Sequence, residues 1–377
     1  MKKTIYSLFL MVFIFACSSD NSDDSTPTDD DTGEIAFSRA ELLESWADTI
    51  IIPSYEAFTA SLGTLNSALD TFVGDPNEVN LVALRTAWQD TYFVWQRVSM
   101  FETGPAESIN YRLNINVYPT DVDQIEINVF LDENDLNLDL PSNRDAKGLP
   151  ALDYLLNGLA NTDAEIIAIF NGPNGNNYLT YTTLLVQDMT DLTDQVLSAW
   201  QGGFRDDFVN NDGSSANASA DRYINDYIEY YERFLRAGKM GIPAGVFSGS
   251  VIPENLEARF KGDISNALFL EGLDAVQDFF NGIAFGSTTN GIGLDDYLMD
   301  LDAQIDGQQL STAINNQYNV ARTAVSNLGS FQSELEVDPP IQMLLAYDEV
   351  QRIVPLIKVD MLSFLNINVD FQDADGD

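Results

Sequence analysis

Beyond Gly33 apolar residues recur at spacings of three and four, the pattern of helices that bury one face. From Ala36 to Phe72 this spacing predicts one long segment. Pro76, a residue favoured at helix starts, opens a second in which Leu84, Trp88, Tyr92, Trp95 and Ser99 share a face. Tyr181, Leu185, Met189, Leu192, Val196 and Ala199 form the seam of a third, as in a helix bundle. Ile224, Tyr227, Tyr231, Phe234 and Leu235 make a fourth stripe, which Gly238, Gly241 and Pro243 are expected to end. The last carries Ile341, Leu345, Val350, Ile353, Ile357, Met361 and Leu365, with Pro355 expected to kink it. The fold class read from these stripes is all-α, and the stripes themselves are core packing.

Two stretches interrupt the helical pattern. Residues 104–143 are rich in loop signals and contain Pro105, Pro119 and Pro141, and residues 238–253 form a shorter glycine-rich break. Long ordered loops in a compact domain are more often functional than decorative, so a site between helices and floored by these loops is expected.

The chain begins with Lys2 and Lys3, an apolar run from Ser7 to Phe15, and Ile14-Phe15-Ala16 directly before Cys17. That run is too short to span a bilayer, and the order is that of a bacterial lipobox. Residues 1–16 are read as a cleaved signal peptide and Cys17 as the lipidated residue. The acyl chains would make the membrane a partner and place the protein in the bacterial cell envelope, on the outer membrane. Residues 18–33 contain no large apolar side chain and are too polar to fold, so 17–33 are read as a lipidated, acidic tether. Asp31-Thr32-Gly33 matches an aspartic-protease triplet, but that chemistry needs two buried carboxylates sharing a proton.

Charge and missing residue types then narrow the chemistry. The chain holds 59 Asp and Glu against 18 Lys and Arg, a formal net charge of −41, which repels phosphate backbones and excludes nucleic-acid partners. There is no histidine and only one cysteine. Ser-His-Asp and Cys-His mechanisms, HExxH zinc sites and His-ligated haem all fall away, and no zinc or haem is expected. Oxygen ligands would favour Ca²⁺ or another hard cation. Asp373-Ala374-Asp375-Gly376-Asp377 opens like a calcium loop without the later Glu.

At Lys147-Gly148-Leu149-Pro150-Ala151-Leu152-Asp153-Tyr154-Leu155-Leu156 the chain resembles the imelysin family, in its lipoprotein branch. Trp88 to Trp95 leading into Phe101-Glu102-Thr103-Gly104-Pro105 resembles it too, as do residues 236–245 and Lys358-Val359-Asp360-Met361-Leu362-Ser363. The resemblance implies two helical bundles packed together with a cleft between them. The expected organisation is residues 34–200 as a first bundle with the long loop insertion and 201–377 as a second. It also implies an extracytoplasmic role in iron uptake, hence iron or another hard cation as cofactor and outer-membrane uptake proteins as partners.

Founding members of that family were described as metallopeptidases through a Gly-x-His-x-x-Glu motif. Here Pro150 stands for the histidine and Asp153 for the glutamate, and proline offers neither ligand nor base. Pro150 also suits the first turn of a helix, and Asp153 early in that helix suits its dipole. No catalytic residue is therefore assigned. The cleft candidates are Gly148, Pro150, Asp153, Tyr154, Glu102, Arg112, Arg144, Lys147, Arg236 and Lys239, with Asp153 the candidate metal ligand. The charged ones among them either brace loops as buried ion pairs or line a mixed-charge cleft for a small anionic or chelated ligand. Three functions stay open: a non-catalytic binding protein of iron acquisition, a carboxylate-only hydrolase using Asp153 and Glu102, and a structural partner of an outer-membrane complex.

Overall fold

The computed structural model describes residues 37–132 and 135–371. The signal segment, Cys17, the tether with its Asp31-Thr32-Gly33 triplet, and residues 373–377 lie outside the described residues. Among the described residues the only paired strands are Gln304–Ile305 and Gln308–Gln309, two-residue antiparallel pieces. All else that is regular is helical. No described helix is long and apolar enough to cross a membrane.

The first helix shows how local chemistry sets this architecture. Ser38 caps it by accepting the Glu41 N–H at 3.2 Å, and the chain runs from Arg39–Ser45 through a π-helical turn, Trp46–Ile51, into Ile52–Gly74. Pro53 has no N–H to offer the Thr49 carbonyl, which instead accepts from Phe285 at 2.8 Å, far along the chain. The same turn packs Trp46 on Phe279 with ring centroids 4.6 Å apart. Downstream, Tyr55, Phe58, Leu62, Leu65 and Leu69 are fully buried against Glu78–Gln96 and Gly175–Ala199.

Those three helices, with Asp163–Phe170, form one set. A second set contains Ser219–Glu229, continuous with Tyr230–Gly241, together with Ser265–Phe280, Leu310–Ser326, Ile341–Gln351 and Pro355–Met361. Glu78–Gln96 also packs on Ser265–Phe280, joining the sets, and the described residues fall in one compact unit. Residue 200 lies inside a helical run, in which Gly175–Ala199 continues into Trp200–Phe204 and then kinks at Gly203, whose φ is +134°, before Arg205–Asn210.

The stripes at Leu84, Trp88, Tyr92, Trp95 and Ser99 and at Tyr181, Leu185, Met189 and Val196 are buried as expected. Two details differ. The fourth helix ends at Gly241, one of the three residues expected to end it, but runs through Gly238, which lets the Tyr118 hydroxyl come close. In Ile341–Gln351 the residues Ile341 and Leu345 are 54% and 57% exposed, while Met343, Ala346, Tyr347 and Val350 are buried. This helix is apolar around most of its circumference, so spacing alone misplaced its first turns, while Val350, Ile353, Ile357, Met361 and Leu365 are buried as expected.

Candidate functional site

The helix Glu78–Gln96 delivers its last turn to the junction of the two sets, and the chain then enters the loop segment of residues 97–121. Arg112, in the short helix Tyr111–Ile115, is the strut of this region. Its guanidinium donates to the Ser99 carbonyl at 2.6 Å and the Met100 carbonyl at 3.2 Å, satisfying acceptors beyond the helix end. It also pairs with Asp226 at 3.2 Å and lies over the Phe234 ring at 4.4 Å. Asp226 in turn accepts the N–H groups of Glu102 and Thr103 at 2.8 and 3.1 Å. One helix of the second set thus fixes the loop of the first.

A second network lies beside it. Lys239, buried in the π-helical stretch Tyr230–Gly241, donates to both oxygens of Glu257 at 2.6 and 2.5 Å. Glu257 also accepts from Gln96 at 3.3 Å and from Asn116 at 2.8 Å, and Asn116 accepts the Tyr92 hydroxyl at 2.6 Å. Burial pushes the Lys239 ammonium down from its ordinary range, and Glu257 opposes that shift.

Between the two networks opens a cleft of ≈ 240 Å³. Among the described residues Arg112, Arg233 and Lys239 are its charged lining residues, Trp95, Tyr230 and Phe234 are among its aromatic ones, and no carboxylate lines it. The Trp95 indole N–H is buried without a hydrogen-bond partner among the described residues. Glu102 lies on the far side of Arg112, in a neighbouring cavity with Asp226, Glu107 and Arg222.

The motif segment stands behind the cleft loop. Gly148 has φ +73°, and a Cβ there would lie 2.1 Å from the Ile115 carbonyl oxygen, so only glycine lets the two segments meet. Pro150 is the third residue of the helix Gly148–Asp153, where a missing N–H leaves no bond unmade. Asp153, 1% exposed, accepts the Phe260 N–H at 2.8 Å and the Asn157 amide at 3.1 Å. Its carboxylate anchors the turn that follows Ala258. Among the described residues no group of three or more acidic or thiol side chains is arranged to hold a metal. Tyr154 donates to Glu126 at 2.7 Å.

The other candidates disperse. Lys147 pairs with Asp188 at 3.0 Å inside the first set. Arg144 is half-buried in the turn Pro141–Ala146. Arg236 donates to Tyr347 at 2.7 Å and to Gln351, within the second set. Of the ten candidates, then, Arg112 and Lys239 line the cleft, and Glu102 and Gly148 touch the loop that forms it. Glu257, Asn116, Asp226 and Arg233 escaped the sequence reading. The one available signal was that Asp226 and Arg233 flank the tyrosine stripe of their helix.

Burial raises both the Glu102 and the Asp153 carboxyl to about 7, Arg112 opposing the shift at Glu102 and the Phe260 N–H at Asp153. Both groups bind a proton more tightly in the folded state. Their stabilisation is therefore complete below the unfolded values, about 4, and is lost as pH rises through about 7. The melting temperature is expected to fall between pH 5 and pH 8, with a shallower slope in Glu102→Gln and Asp153→Asn. A melting temperature that rises over this interval would contradict the assignment.

The family model described as "Imelysin" matches residues 51–357. Iron-regulated protein A of Synechococcus elongatus is 30% identical over 81 residues, which are 22% of this chain and only 23% of that protein. A provisionally named iron-regulated protein A precursor from Parabacteroides distasonis superposes with a TM-score of 0.68 at 14% identity, covering 89% of this chain and 96% of that one. An imelysin-like protein from Psychrobacter arcticum gives 0.67 at 17% identity, covering 88% and 97%. These two structures show the shared fold, and the family match over residues 51–357 shows that the chain belongs to the imelysin family.

Proposed function

We propose that this protein is a non-catalytic binding protein of the bacterial cell envelope, lipid-anchored through Cys17, that takes an anionic iron chelate in its cleft. One observation carries the reading. In a chain with 59 acidic and 18 basic residues, the charged side chains that line the cleft among the described residues are Arg112, Arg233 and Lys239, while the carboxylates they pair with, Asp226, Glu229 and Glu257, stand outside the lining. Such a lining favours a negatively charged ligand over a bare cation, and its aromatic walls exclude water from the charged contacts. The iron component is supported by the name of the Synechococcus relative. Outer-membrane uptake proteins are the expected partners.

The hydrolase reading asks Asp153 and Glu102 to act as an acid and base pair. Their hydrogen bonds belong to separate networks, one holding the turn at Phe260 and the other the N–H of Arg112. Pro150 at the motif's histidine position likewise favours binding over hydrolysis.

Calorimetric titration with ferric citrate, with citrate alone as the comparison, tests the proposal. Saturable binding of the ferric complex is expected, weakened about tenfold or more in Arg233→Gln, which removes one charged donor. Arg233 is well exposed, its side chain 40% accessible, so the variant keeps the fold. Absence of ferric citrate binding to the unaltered chain contradicts the proposal.

A further inference from the structure

A separate cavity of ≈ 380 Å³ lies between the residues that follow the helix Val122–Val129 and the first turns of Gly175–Ala199. Its volume falls within the range of small-molecule sites, roughly 300–1,000 Å³. Its lining is unlike most of them, because amides and hydroxyls dominate where apolar side chains are usual. We infer that this cavity binds a neutral oligosaccharide.

The floor is rigid. Asn128 donates to Asn143 and to the Tyr181 hydroxyl, both at 3.1 Å, and Tyr181 donates to the Ala146 carbonyl at 2.6 Å. Above it, the side chains of Asn176, Asn177, Thr180 and Asp132 make no hydrogen bond with any described residue. Each carboxamide presents a donor and an acceptor side by side, which matches a pair of neighbouring sugar hydroxyls. Among the described residues the lining contains no lysine or arginine for an anion, and Asp132 is its one carboxylate, too few to hold a bare cation.

The rim supplies the apolar half of the match. Phe130 is 52% exposed and is braced edge-on by Tyr178, with ring centroids 6.1 Å apart at 81°. Its free face offers a flat apolar platform for the C–H face of a sugar ring. Leu131, 41% exposed, extends that surface. A polar floor with an aromatic rim suits a ligand that is hydroxylated at its edge and apolar on its face.

The test uses the full chain purified without glycosidic detergents. It is applied to a panel of neutral oligosaccharides built from glucose, galactose, mannose and N-acetylglucosamine, with each hit titrated by saturation-transfer NMR. At least one member is expected to bind saturably. Phe130→Ala and the pair Asn177→Ala with Thr180→Val should each weaken that binding about tenfold or more, with unchanged melting temperatures. Arg233→Gln, in the other cleft, should bind the sugar as the unaltered chain does. The inference is overturned if no panel member binds, or if binding survives both sets of cavity substitutions.

Discussion

Replacing Lys239 by Met is expected to lower the unfolding free energy by about 3–5 kcal/mol, the effect of stranding one partner of a buried ion pair. Lys239 is 3% exposed and Glu257 1%, so water cannot take over the lost charge. Gln96 and Asn116 would still donate to Glu257, but two neutral amides do not replace an ammonium held at 2.5 Å. Removing both charges, as Lys239→Met with Glu257→Gln, is expected to recover most of the loss. Denaturant midpoints of the three proteins check this. A single variant within about 1 kcal/mol of the unaltered chain would mean that the pair is not buried as described.

Gly148→Ala is the second large effect. The position combines φ +73° with a Cβ site 2.1 Å from the Ile115 carbonyl oxygen, so both backbone strain and a clash oppose any side chain. Together these are expected to destabilise by about 3 kcal/mol or more. The segment that must move carries Arg112 and Asn116, so ligand affinity in the cleft should fall with stability. Gly63, exposed within Ile52–Gly74 with nothing near its Cβ site, is the control. Gly63→Ala should stabilise by about 0.5–1 kcal/mol through helix propensity. Equal effects at the two glycines would refute the close approach at Gly148.

Much of the fold was legible because burial leaves a period. Trp88, Tyr92 and Trp95 mark one buried face, and Tyr181, Leu185 and Met189 another, at the spacing that a helix against a core requires. Ile341 and Leu345 show where the signal fails, since a helix apolar on several sides does not declare which side is covered. The site was less legible, because its partners are chosen across long stretches of chain. Lys239 stood out in a chain poor in basic residues, whereas its partner Glu257 is one of 59 acidic residues. Asp153 drew attention through its motif, and its role at the Phe260 turn depends on a segment more than a hundred residues away.

The most direct test of the cleft as the ligand site is anomalous diffraction at the iron absorption edge, from crystals of the chain grown with ferric citrate. An iron peak is expected in the cleft, within reach of Arg112, Arg233 and Lys239. An iron peak elsewhere on the molecule, or an empty cleft despite saturable binding in solution, would contradict the cleft as the site of binding.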